Sequence, residues 1–350
     1  MHIPDGYLSP ATCATFGGAM VPVWATAGRK VKRVVRSRYV PLVAIGAAYS
    51  FLVMMFNVPI PDGTTAHAVG AVLIACLLGP WAAVVAVSVA LFIQALFFGD
   101  GGVLAYGANA FNMAFVMPFV GYGVYRLASR RLSLTSPRRA LAAGMGAYVG
   151  LNAAALCAAI EFGVQPDLFR SANGTPLYAP FHLSQTVPTM LFAHLTVAGA
   201  VEAVLTFGVI AYLQRANVPI LRINHRGVAE TDAELTRAPL GWRWALIGIA
   251  TMVVLTPLGL LAPGRAFGED RARDLNAGKY GLRVVPAGLA RYNGFWEHTV
   301  LRSYGFGAGS HPAVAYLLSA VVGIVAVSAL VLGVYGLSRT LSRRNARELA

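Results

Sequence analysis

WAAVVAVSVALFIQALFF, residues 81–98, carries no charged side chain. As an α-helix at 1.5 Å per residue it extends about 27 Å, nearly the roughly 30 Å of a bilayer's hydrocarbon core. LLGPWA (77–82) turns the chain on one side of it, and the Gly- and Asp-rich FFGDGG (97–102) turns it again on the other. Working outward, apolar segments of this kind are expected near 9–28, 39–57, 64–79, 81–98, 103–126, 139–162, 186–214, 241–262 and 312–336. Inside hydrocarbon each segment must satisfy its own backbone hydrogen bonds, so the reading is an all-α, polytopic membrane protein.

Composition agrees: 57% of the residues are hydrophobic and 12% charged, against about a quarter charged in soluble domains. The net charge of +14 is not spread as a nucleic-acid surface requires, and no nucleic-acid partner is expected. It gathers in RKVKRVVRSR (29–38), RLASRRLSLTSPRR (126–139), RANVPILRINHR (215–226) and RTLSRRNAR (339–347), after the first, fifth, seventh and ninth segments. With the N-terminus outside and the C-terminus in the cytoplasm, all four clusters fall inside, as the positive-inside rule favours. The polar stretch 218–240 reads as a cytoplasmic linker between a seven-span module, 1–217, and a two-span module, 241–350, with an outer loop, 263–311. Cys13, Cys76 and Cys157 stand singly in apolar segments and read as packing residues.

The outer face is then shared by the turns 57–65 and 97–102 and by the chain start, MHIPDGYLSP (1–10). No Lys or Arg precedes Arg29, so the start lacks the positive region of a secretory signal. A large residue after Met1 is expected to block removal of the initiator. An unblocked Met-His offers three nitrogens in a row: the Met1 amine, the His2 amide once deprotonated, and His2 Nδ1. Their fused chelate rings lie in one plane and leave a fourth corner open, a geometry suited to Ni(II) or Cu(II). His67, in PDGTTAHAVGAV (61–72), is the candidate for that corner, since an imidazole in a membrane interior needs a polar partner or a function. Asn109, Asn112, Asp62 and Gln94 are candidates to orient the ligating histidines, whereas Asp100 reads as a turn former. Deep in the seventh segment stand His194 and Glu202, about 80° apart around a helix, too far for a tight pair. No Lys follows Gly in a phosphate-binding loop, so any ATP is bound by another subunit.

Together MHIPDGYLSP, PDGTTAHAVGA, QALFFGDGG and YGANAFNM resemble the CbiM/NikM family, the substrate-binding membrane components of nickel and cobalt energy-coupling factor transporters. The resemblance covers about 1–215, and the two-span remainder looks like the small NikN/CbiN-like accessory component of those systems, fused to the first. It implies a divalent ion, Ni2+ first and Co2+ second, held as transported substrate by Met1, His2 and His67, with no permanently bound cofactor. It also implies a transmembrane coupling component and a pair of cytoplasmic ATPases as partners in a prokaryotic inner membrane. Two other readings stay open from the residues alone: a proton-coupled permease using Glu202 and His194, and a membrane metal sensor. No nucleophile and base stand together, so an enzyme is not expected.

Overall fold

The computed structural model describes residues 1–34, 40–61, 64–225, 242–262, 265–306 and 311–348. It is mostly helical, and a helix lies in each of the nine expected segments. They are α1 (Pro10–Val34), α2 (Val40–Met55), α3 (Ala71–Leu78), α4 (Pro80–Phe98), α5 (106–129), α6 (Pro137–Gly163), α7 (Leu183–Ala216), α8 (Trp242–Leu255) and α9 (Pro312–Glu348). Among the described residues, five helical stretches are long and apolar enough to cross a membrane: Pro80–Phe98, Pro137–Leu168, Leu183–Ala216, Trp244–Leu261 and Pro312–Leu337. The chain is a multi-pass membrane protein on this count.

The expected third span, 64–79, is the main departure. Only Ala71–Leu78 is helical, about 12 Å of rise. Ahead of it, strand β2 (Thr65–His67) pairs antiparallel with β1 (Asn57–Pro59), with Asn57 opposite His67 and Pro59 opposite Thr65. Gly70 separates hairpin from helix at φ 74°, a left-handed conformation that a side chain would strain, and a Cβ there would lie 2.3 Å from Tyr49 Cε1. Non-helical backbone at membrane depth is tolerable only where protein surrounds it, and Thr65 through Gly70 are all buried.

Three helices contain a π-helical turn, a widened turn frequent at functional sites: Gln94–Phe98 in α4, Ala110–Val116 in α5 and His194–Ala198 in α7. Each turn places a buried polar side chain, Gln94, Asn112 or His194, toward the bundle interior. On the cytoplasmic side of the sequence reading, the linker expected from 218 starts as folded chain. Val218–Arg222 is a short helix with Val218 and Leu221 buried, and Asn224 Nδ2 donates 3.1 Å to the Ala75 carbonyl near the end of α3. Most of the remaining linker, 226–240, lies outside the described residues.

The α5–α6 contact is built on glycine. A Cβ on Gly146 would stand 2.4 Å from the Gly121 carbonyl, and one on Gly121 2.6 Å from that of Gly146. Small residues that let two backbones approach are the main means of helix association where solvent gives no hydrophobic drive. Gly146→Val is therefore expected to lower stability by about 1–3 kcal/mol, read as the melting temperature in detergent micelles. Gly123→Ala, in the same helix pair with open space at its Cβ, is expected to leave it unchanged or raise it slightly.

Candidate metal-capture site

Residues 1–9 precede α1 without helical structure, yet all but Pro4 are buried. Backbone groups of such a segment need partners. Asn109 supplies two, accepting from the Ile3 N–H at 2.8 Å and donating to the Ile3 carbonyl at 3.0 Å, while the Gly102 N–H adds a second bond to that carbonyl at 2.9 Å. Asp5 turns its carboxylate to the N–H groups of Val103, Leu104 and Ala105, at 3.1, 2.8 and 3.2 Å. Gln165 Oε1 accepts from the Ser9 N–H at 2.9 Å, where α1 begins. The terminus is thus fixed along its length to the α4–α5 turn and the end of α6.

This strapping sets His2 against His67. Their rings stack with centroids 4.8 Å apart and planes 29° from parallel. His67, on β2, has its Nδ1 3.0 Å from the Ala68 carbonyl; a carbonyl accepts only, so Nδ1 carries the proton and Nε2 a lone pair. His2 has its Nδ1 3.2 Å from Asp100 Oδ1. Both Nε2 atoms are buried without a hydrogen-bond partner among the described residues. For His67, an imidazole oriented through Nδ1 by a carbonyl with Nε2 bare is the arrangement of metal-ligating histidines.

Two carboxylates face the Met1 and His2 nitrogens. The Met1 ammonium lies 3.7 Å from Glu269 Oε1, an ion pair longer than a hydrogen bond, and Asp100 meets His2 Nδ1. Burial pushes the His2 pKa down to about 3, the neighbouring Met1 ammonium pushes the same way, and Gln94 opposes them. Burial pushes Glu269 up from the usual carboxylate range, against the pull of the Met1 ammonium. Tyr304, from the same outer loop as Glu269, donates 2.6 Å to Asp100 Oδ2 and receives Gln94 Nε2 at 3.1 Å. Further along, Tyr7 OH donates to the Asp270 carbonyl at 2.8 Å and Asn293 Nδ2 to the Asp5 carbonyl at 3.0 Å. The outer loop therefore lies directly over the chain start.

Of the residues singled out in the sequence, Met1, His2 and His67 come together, with Asn109 fixing the backbone beside His2. Gln94 joins through Tyr304. Asn112 does not: its Nδ2 donates 2.9 Å to Glu161 Oε2 on α6. Asp62 lies outside the described residues. Asp100 is more than a turn former, since it holds His2 Nδ1, and that contact must open before the expected chelate can use this nitrogen. His194 and Glu202 form no pair: His194 Nδ1 faces the Met190 carbonyl at 2.7 Å, and Glu202 grips the backbone of residues 69 and 70. Glu269 and Tyr304 were invisible to sequence reasoning, being more than 200 positions from the histidines in a loop of mixed charge.

The profile of the family described as cobalt uptake substrate-specific transmembrane region, CbiM, matches residues 2–220. The chain belongs to this family. It is 49% identical to the fused nickel transport protein NikMN of Rhodobacter capsulatus, across 98% of this chain and 99% of that one. It is 45% identical to the probable fused nickel transport protein LarMN of Lactiplantibacillus plantarum, across 95% and 97% of the two chains. Among solved structures, a crystal structure of a truncated transition metal transporter is 60% identical with a TM-score of 0.58, covering 61% of this chain and 99% of that one. The chain is a transporter component, not an enzyme, and nickel or cobalt is cargo for proteins of this kind.

Because the folded His2 pKa lies below its ordinary value, the packed terminus is fully stable above about pH 6.5 and loses stability as pH falls toward 3. The protection factor of the Ile3 amide in hydrogen exchange is expected to fall over that range. Asn109→Ala, which removes both side-chain bonds to Ile3, should lower it at pH 7 by about 1–3 kcal/mol of opening free energy.

Proposed function

We propose that this chain captures a divalent transition-metal ion at its own N-terminus and delivers it across the membrane as the substrate-specific component of an ATP-driven transporter of energy-coupling factor type. The observation that carries the reading is the buried stack of His2 on His67 beside the Met1 amine, with His67 Nε2 bare. Burying an ammonium in a bundle is costly without a role.

The ligands are the Met1 amine, the His2 amide and ring, and the His67 ring. Four nitrogens in a plane suit Ni2+ before Co2+, and the two full-length relatives named for nickel support the same order. Before the ion arrives, Asp100 and Glu269 hold the His2 ring and the ammonium and make the site electronegative. Binding requires the amine and the amide to lose protons, so these two groups, not the already neutral His2 ring, dominate competition by acid.

The chain carries no phosphate-binding loop, so energy comes from partners, a transmembrane coupling component and a pair of cytoplasmic ATPases, in the inner membrane of a prokaryote. The seven-span module is 1–217, the linker 218–240 and the two-span module 241–350, with the N-terminus outside and the C-terminus in the cytoplasm. In this topology the hairpin and α3 together count as one broken span that crosses the membrane, and the outer loop belongs to the second module. A proton-coupled permease is the weaker reading, because the Glu202 carboxylate is committed to backbone N–H groups.

Equilibrium Ni2+ binding to the purified chain tests this in three forms: unmodified, with one residue added before Met1, and His67→Ala. Loss of binding in both altered forms is expected. Retained affinity in the extended form would show that the terminus is not a ligand.

A further inference from the structure

Glu202 stands on α7, fully buried, and the function above gives it no task. Its carboxylate accepts from the Val69 N–H at 2.7 Å and from the Gly70 N–H at 3.0 Å to each oxygen. Gly70 is the N-cap of α3 and Val69 precedes it, so the carboxylate sits at the N-terminal end of that helix, where a negative charge is favoured. Helix capping alone would explain a carboxylate here. The peptide that it caps is what gives the contact further meaning.

The Val69 N–H belongs to the same planar peptide unit as the Ala68 carbonyl, and that carbonyl is the atom 3.0 Å from His67 Nδ1. A continuous chain therefore runs from the Glu202 carboxylate, through one peptide, to the imidazole, with His67 Nε2 bare at its end. We infer that Glu202 is a positioning residue for His67: through the Ala68–Val69 peptide it fixes the orientation of the ring and strengthens Nε2 as a donor to the metal ion. Hydrogen bonds in series polarise one another, and a carboxylate at the far end pulls hardest. Ser50 Oγ, donating 2.8 Å to the Val69 carbonyl, holds the next peptide, and Tyr49 closes over Gly70, so the clamp has little freedom to drift. β2 also packs against the π turn of α7.

This inference rests on His67 being a ligand. The test uses the full-length chain in detergent as wild type, Glu202→Gln, Glu202→Ala and His67→Ala. Ni2+ affinity is measured by calorimetry, and the d–d absorption of the bound ion reports the ligand set. Loss of an outer hydrogen-bond partner typically weakens metal binding roughly 10–100-fold, and that is the expectation for Glu202→Ala, with absorption moved toward that of His67→Ala. Glu202→Gln is nearly isosteric and keeps one acceptor oxygen, so it folds and shows a smaller loss, still above about twofold, with the same direction of spectral change. Glu202→Gln binding within about twofold of wild type, or with unshifted absorption, overturns the inference even if the melting temperature has fallen. A wild-type chain that binds no Ni2+, or a His67→Ala chain that binds it fully, overturns the site and this inference together, which separates the two failures.

Discussion

Burying the start of a chain is the constraint on which the rest of this structure depends. An ammonium, two imidazoles and several unpaired peptide groups are placed where water is scarce, and each needs a partner supplied by the fold. Asn109 meets the Ile3 peptide groups on both sides, Asp5 takes three N–H groups at the start of α5, and Gln165 holds Ser9. Because these bonds go to α5 and to the end of α6, the close glycine contact between those helices also sets the position of the terminus. The site is as rigid as the helix pair behind it.

The second consequence is the broken third segment. A continuous helix over 64–79 would carry His67 on a cylinder surface with its backbone already satisfied. The hairpin instead leaves the peptides of Ala68, Val69 and Gly70 free to bond outward, to His67 Nδ1, Ser50 and Glu202. Irregular backbone inside a bundle is costly unless it is fully paired, and here the pairing orients the His67 ring. The three π turns do similar work on a smaller scale, each freeing one turn of helix to aim a polar side chain inward.

The outer loop supplies the remaining contacts. Glu269 faces the Met1 ammonium, Tyr304 bridges Asp100 and Gln94, and Trp296 Nε1 donates 2.8 Å to the Leu96 carbonyl at the end of α4. The loop is thus bonded at several points to the segment it covers. The Glu269 side chain is 22% exposed while the Met1 side chain has no exposure, and the Oε1 that faces Met1 is itself buried.

The sequence by itself determined the helical, multi-pass class and the family, because hydrocarbon permits few backbone solutions and apolar runs of fixed length record them directly. It also singled out Met1, His2 and His67, which the structure brings together, since a histidine beside the chain start and another in an apolar segment stand out. Only the tertiary structure decided that residues 64–70 are a hairpin, because Thr-Thr-Ala-His-Ala-Val is compatible with helix or strand until Glu202 and Ser50 arrive from other helices to satisfy its peptides. It decided likewise that Asp100 holds His2, that Asn112 turns to Glu161, and that Glu269 and Tyr304 reach the site at all. Those contacts join residues up to 268 positions apart, and a pairing of that range is fixed by how helices pack, which no periodicity along the chain records.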